Sequence, residues 1–135
     1  METFIDGGSL NLYTSEDFID WCNGEVENIY AFEVDDRCLG ICNEKIKKDK
    51  YLESKIKIIN KGLWSKETKL LLDIRPTLGA SHLIDSPKEG DIEVTSIDKC
   101  VGNSDVTFIK MDIEGSELEA LKGAESTIIR NISYI

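Results

Sequence analysis

The residues most able to do chemistry stand at the end of a short apolar run. Lys110, Asp112 and Glu114 follow Val106, Phe108 and Ile109 and alternate on one side of an extended chain, because strand side chains repeat every two residues. Acids at the carboxyl end of a central strand lie where an open α/β sheet receives its ligand. Two carboxylates are too few to hold a divalent metal. A second candidate is the turn Asp6-Gly7-Gly8-Ser9 after the apolar pair Phe4-Ile5. Glycines let a backbone approach a ligand closely, and a following helix N-terminus favours a carboxylate. Such turns also arise for purely structural reasons. Glu33, at the end of the next apolar run, is placed to accept hydrogen bonds from two ribose hydroxyls, or is a surface carboxylate at a strand end. His82, in Gly79-Ala80-Ser81-His82, is the chain's one histidine. Its near-neutral pKa suits a general base, although a lone loop histidine is commonly just exposed.

These groups can meet only if the elements between them form a layered sheet. Thr3 to Asp6 reads as a strand stopped by Gly7-Gly8. Thr14 or Ser15 can cap a helix running to about Cys22, closed by Asn23-Gly24. Asn28 to Val34 is a second strand. Asp35 or Asp36 caps a helix to about Lys48 with Leu39, Cys42 and Ile46 on one face, and Lys55 to Asn60 is a third strand. This β-α-β-α-β alternation predicts an α/β fold, a Rossmann-like, doubly wound and mainly parallel sheet with right-handed crossovers. The expected strand order is 3-2-1-4, with the Asp112 strand as the fourth. Gly62 to Ile74 reads as an added β segment, Arg75 to Gly90 as a loop and Ile92 to Ile97 as another strand. After Gly115, Ser116 and Glu119 have capping-box spacing, and Leu118, Leu121, Ala124 and Ile128 predict the core-facing stripe of one helix. Ile132 to Ile135 reads as the beginning of a further strand whose continuation is absent.

Composition narrows the functions. The chain has 135 residues, enough for one domain with a real core, and a formal charge of −10. That acidity argues against nucleic acid as a partner, since phosphate neutralisation needs clustered cations. Seven lysines between Lys45 and Lys61 read as a solvated helix end and a following strand. No segment approaches the ~20 apolar residues of a membrane span. With no signal peptide evident, a cytoplasmic protein is expected. Cysteines 22, 38, 42 and 100 form no CxxC pair, so no zinc site is expected, and Cys38 and Cys42 read as small buried apolar residues. The absence of G-x-G-x-x-G counts against a nicotinamide or flavin dinucleotide and favours a nucleoside without pyrophosphate.

The segments FIDGGS, YAFEVD, NKGLW, VTSID and IKMDIEGSELEALKGAE, in this order, resemble the FkbM family of S-adenosylmethionine-dependent methyltransferases. The resemblance runs from about Phe4 to Ile128, and Lys-x-Asp-x-Glu-Gly-x-Glu is its most specific part. It implies a class I methyltransferase fold, S-adenosylmethionine as cofactor, and methyl transfer to a hydroxyl of a small-molecule, sugar or lipid acceptor. It further implies that Asp6, Gly7, Gly8 and Ser9 surround the methionine end, that Glu33 holds the ribose, and that the Asn60-Lys61-Gly62 turn lies near the adenine. Asp112 would face the cofactor amine or the acceptor. Asp112 is the first candidate for the base and His82 the second; Lys110, Glu114 and Glu117 receive no role from the motif.

Two departures from the family's pattern matter. Leu12 stands where the first loop usually carries another glycine, so its side chain is expected to crowd the methionine moiety or to resist the backbone angle there. The family's C-terminal part, which completes the sheet, is expected to be lacking from these 135 residues. The alternative expectation is therefore a truncated or degenerate domain that binds cofactor weakly or serves only in association. A homo-oligomer formed through an exposed sheet edge would be one form of it.

Overall fold

A computed structural model describes residues 1–85 and 90–131. Its first sheet contains β1 (Glu2–Gly7), β2 (Val26–Phe32), β3 (Ile56–Ile59) and, from far along the chain, Phe108–Met111. The strands lie in the order β3, β2, β1 and then the Phe108 strand, every pair parallel, which is the predicted 3-2-1-4. Alternate residues of β1 and β2 serve opposite faces, as strand geometry requires. Phe4, Ile29 and Ala31 pack with Leu12, Phe18, Ile19, Cys42 and Leu52 on one face. Ile5, Tyr30 and Phe32 pack with Leu63, Ile97, Val101 and Ala120 on the other. Both faces are covered, so β1 and β2 carry apolar residues on each side of the sheet.

Helix α1 (Tyr13–Trp21) crosses from β1 to β2, but neither Thr14 nor Ser15 caps it. Its N-cap is Leu12, in left-handed backbone at φ 68°, and Ser15 is instead buried. Asn23 and Gly24 end the helix in positive φ as expected. Helix α2 (Asp36–Lys48) is capped by Asp35, whose carboxylate accepts from the Arg37 amide. Sequence reading missed the short α3 (Lys50–Lys55), which Asp49 caps.

Beyond β3 lies a second sheet. It contains β4 (Gly62–Leu63), β5 (Thr68–Asp73), β6 (His82–Ile84) and β7 (Ile92–Thr95) in the order β4-β7-β5-β6. The added segment thus exists, but His82 is in a strand, not a loop. Leu71, Leu72 and Asp73 pair antiparallel with Ile84, Leu83 and His82. Ile97 is the first residue of α4 (Ile97–Val101) and not the end of a strand.

The motif strand, β8 (Phe108–Met111), starts two residues later than Val106, which is buried ahead of it. The single helix expected after it is two, α5 (Glu117–Lys122) and α6 (Glu125–Asn131). The break falls at Gly123, where an added Cβ would stand 2.2 Å from the Trp64 carbonyl oxygen. Asp98 accepts from the Ser126 and Thr127 amides and thereby holds α6 in its new direction. Consequently Leu118 is 65% exposed and Leu121 about half, while Ala120, Ala124 and Thr127 are buried. The Ser116 side chain makes no cap hydrogen bond, so the capping box does not form. Among the described residues β8 has a neighbour on one side only. The strand expected at Ile132 to Ile135 lies outside the described residues, as does Pro87 of the expected loop.

Candidate functional site

At the carboxyl ends of β1, β2 and β8 the chain forms a cleft to which Gly8, Glu33 and Asp112 all contribute. Its near wall is the glycine turn. Gly8 and Ser9 both donate their amides to the Phe32 carbonyl, at 3.0 and 3.1 Å, which folds the turn back over β2. Gly8 has φ +76°, and a Cβ added there would stand 2.2 Å from the Asp112 carbonyl oxygen. The Asp112 amide donates to the Gly7 carbonyl at 3.0 Å. Only a residue without a side chain lets these two backbones touch.

Asp6 lies beneath the turn, fully buried. Its carboxylate accepts from the Ser15 hydroxyl at 2.6 Å and from Lys110 Nζ at 3.1 Å, and the same ammonium donates to the Gly8 carbonyl at 2.8 Å. Ser9 is buried too, its hydroxyl beside the Cys42 thiol at 3.8 Å and away from the cleft lining. Of the four residues in the predicted loop, Gly8 alone lines the cleft.

Glu33 lines the cleft but is largely committed. Its Oε1 accepts from the Leu10 amide at 2.9 Å, and Oε2 accepts from the Val34 and Asp35 amides at 3.0 Å each. A carboxylate offers about four acceptor positions, so roughly one remains for a ligand hydroxyl. Asn60 is exposed and outside the lining; the neighbouring Lys61 and Gly62 are in it. Leu12 does not crowd the site. It adopts the left-handed angle and buries its side chain in the core with Phe4 and Phe18. The leucine that enters the cleft is Leu10, itself at φ 52°.

The far wall is the β5–β6 hairpin, contributing Gly79, Ser81, His82 and Leu83. His82 Nε2 stands 3.3 Å from Asp73 Oδ2, an oxygen that also meets Arg75 at 2.7 Å. A strap fastens this wall to α2. The Arg37 guanidinium grips Asp35 and donates to the Arg75 and Pro76 carbonyls, and the Ser81 hydroxyl donates to Asp35 at 3.3 Å. The hydrogen bond from Arg37 holds the Asp35 carboxyl below the usual aspartate range.

Cys38 and Cys42 are free and buried. Burial pushes the Cys38 thiol up to about 11 and raises Cys42 as well, so neither is a thiolate near neutrality. Among the described residues no group of three or more His, Cys, Asp or Glu is arranged to hold a metal.

Sequence reasoning missed Leu10, Asp35 and Asp73. A usable signal existed for the hairpin. Leu70-Leu71-Leu72-Asp73 and His82-Leu83-Ile84 are two β-prone runs separated by a Pro- and Gly-containing stretch, a hairpin pattern with a long loop.

A family model described as the methyltransferase FkbM domain matches residues 11–135. A similar solved structure is the methyltransferase FkbM from Methylobacillus flagellatus KT, 27% identical, with a TM-score of 0.74. The match covers 96% of this chain and 30% of that one, so the chain spans less than a third of that protein's length. No curated protein matches.

Proposed function

The chain belongs to the FkbM methyltransferase family, and from that premise we propose that its cleft binds S-adenosylmethionine and serves methyl transfer to a hydroxyl of a small-molecule, sugar or lipid acceptor. The observation that carries this reading is the convergence of Gly8, Glu33 and Asp112 on one cleft. The residues fit the cofactor in two respects. The Gly8 cradle, which a Cβ would fill, admits a ligand against bare backbone. The lining carries four acids, Glu33, Asp35, Asp112 and Glu114, against Lys61 and His82. That balance favours a cationic ligand over a pyrophosphate-bearing one.

When bound, the cofactor supplies an electrophilic methyl group on a sulfonium. The chain's own residues then have to orient and deprotonate. The Asp6-Gly7-Gly8-Ser9 turn shapes the methionine end, with Gly8 as its contact surface. Glu33 offers its remaining acceptor position to the ribose. Lys61 and Gly62, in place of the exposed Asn60, border the adenine side. Asp112 holds the amine or takes the acceptor proton, and His82 is the second proton acceptor, oriented by Asp73. Catalysis of this kind rests chiefly on alignment and exclusion of water, which the strapped hairpin wall serves.

Isothermal titration with S-adenosylmethionine and S-adenosylhomocysteine tests the reading. Saturable one-to-one binding, weakened by Glu33→Ala, is expected. Absence of binding by either compound would overturn it.

A second reading, association through the sheet edge, is favoured by Phe108, Leu118 and Leu121, each about half exposed or more along β8 and α5. An edge strand with apolar neighbours invites pairing. Light scattering should then give twice the 15.2 kDa chain mass, reduced to one chain by Leu118→Lys. A monomer at high concentration removes this reading.

A further inference from the structure

Lys110 belongs to the most specific segment of the family resemblance, yet nothing so far gives it work in the cleft. It does not line it. Parallel pairing of β8 with β1 sets Lys110 directly opposite Asp6, and its ammonium bridges the Asp6 carboxylate and the Gly8 carbonyl, at 3.1 and 2.8 Å. We infer that Lys110 is a positioning residue for the cofactor end of the cleft, acting through Asp6 and Gly8 without touching the ligand. The inference rests on the cofactor reading above and deepens it.

The energetics set this bridge apart from an ordinary ion pair. A carboxylate as buried as Asp6 loses its hydration, and a single partner rarely offsets that loss. Asp6 has two partners, since Ser15 donates to its other oxygen at 2.6 Å. The whole assembly is then coupled to one backbone atom, the Gly8 oxygen. Lysine suits the task because its compact ammonium carries three donors and can serve a carboxylate and a carbonyl at once.

The Ser9 amide already ties one end of the peptide following Gly8 to the Phe32 carbonyl, and holding the Gly8 carbonyl fixes the other end of that peptide. Gly8 is also where two walls meet, since its α-carbon packs against the Asp112 carbonyl. Lys110 and Asp112 are two apart along the chain as it leaves β8, so a shift at one is felt at the other. One cation therefore sets the spacing of the Gly8 wall and the Asp112 wall before any ligand arrives. A ligand entering a preset turn does not bear the cost of ordering it.

The test compares three proteins by titration with S-adenosylhomocysteine and by thermal unfolding. Lys110→Met leaves the buried Asp6 charge without a counter-ion, with only the Ser15 hydroxyl as partner, and is expected to lose both stability and affinity. Asp6→Asn combined with Lys110→Met removes the stranded charge, so most of the lost stability should return. The Gly8 carbonyl stays unheld in that double variant, and its affinity should remain about tenfold or more below wild type, the cost of an unordered turn. If the double variant, or Lys110→Met itself, binds as the wild type does, Lys110 is structural only and the inference falls while the cofactor reading stands. If the wild type binds no S-adenosylhomocysteine, the cofactor reading falls and takes this inference with it.

Discussion

Replacing Gly8 by alanine tests the cleft at the point where the geometry is tightest. Two separate costs follow from the structure. The backbone at φ +76° is one that a residue bearing a Cβ adopts at roughly 1–2 kcal/mol. The new Cβ would also stand 2.2 Å from the Asp112 oxygen and 3.0 Å from its carbonyl carbon. Ordinary contact begins near 3.4 Å, so β1 and the chain after β8 must part by about an ångström, an overpacking cost of about 1–3 kcal/mol. Gly24→Ala supplies the control. Gly24 has nearly the same backbone, φ +79°, but its added Cβ meets only Tyr51 Oη at 3.4 Å. Denaturant unfolding should therefore show Gly24→Ala losing ~1–2 kcal/mol and Gly8→Ala ~2–5 kcal/mol. The difference reports the contacts with the Asp112 carbonyl and, at 3.3 Å, the Ile113 side chain. Titration with S-adenosylhomocysteine should show Gly24→Ala unchanged and Gly8→Ala weakened about tenfold or more, the equivalent of ~1.4 kcal/mol of lost contact. Equal stability losses in the two variants, together with wild-type binding by Gly8→Ala, would refute the close approach and its role.

The two leucines of the first loop should separate cleanly. Leu12→Ala empties a core position and is expected to cost ~2–5 kcal/mol in unfolding experiments while leaving S-adenosylhomocysteine affinity within about twofold. Leu10→Ala should instead change affinity with little effect on stability, because it lines the cleft; the reverse pattern would restore the expectation that Leu12 crowds the ligand. Acid should release the hairpin strap. Arg37 depresses the folded-state pKa of Asp35 below its ordinary 3.8, so its contribution is whole well above that value. The contribution shrinks as pH falls below 3.8 and is lost as pH passes through the folded value. Hydrogen exchange of residues 75–81, corrected for intrinsic rate, should lose protection over that interval. Asp35→Asn should already lack that protection at neutral pH. Protection unchanged in Asp35→Asn would show that Asp35 does not fasten the wall.

Some of this architecture was legible because local and long-range signals agreed. Strands β1 and β2 are apolar on both faces and end in turn or cap residues, so period, propensity and punctuation gave the same answer. Asp35 is a good N-cap three residues beyond the end of a buried strand. Ser15 and Leu12 show the opposite case. By type Ser15 is the better cap, yet the buried Asp6 carboxylate claims its hydroxyl at 2.6 Å, and the cap falls to Leu12, whose side chain the core holds while its backbone takes φ 68°. The α5–α6 break was similarly illegible. Leu118, Leu121, Ala124 and Ile128 do keep helical spacing, but Gly123 lies against the Trp64 carbonyl, a partner some sixty residues away.

The site shows why a motif locates a cleft better than it assigns contacts. Glu33 reads from sequence as a free carboxylate aimed at two hydroxyls, whereas three backbone amides, of Leu10, Val34 and Asp35, already occupy it. Asp6 reads as part of a ligand-binding loop, yet Ser15 and Lys110 consume its carboxylate. Glu33's first task is to satisfy the amides of a chain turn, and that of Asp6 is to seat the ammonium that serves the Gly8 carbonyl. Such a demand is invisible to side-chain spacing, because it depends on where backbone groups end up after folding. The same accounting predicts which acids remain for chemistry. Among the cleft acids, Asp35 is held by Arg37 and Ser81 and Glu33 by amides, while the Asp112 and Glu114 carboxylates take part in no hydrogen bond or ion pair among the described residues. Asp112 lies closer to the glycine turn through its own backbone contact with Gly7. Removing its charge by Asp112→Asn should therefore depress methyl transfer while leaving the unfolding midpoint nearly unchanged, whereas Asp6→Asn should lower stability and transfer together.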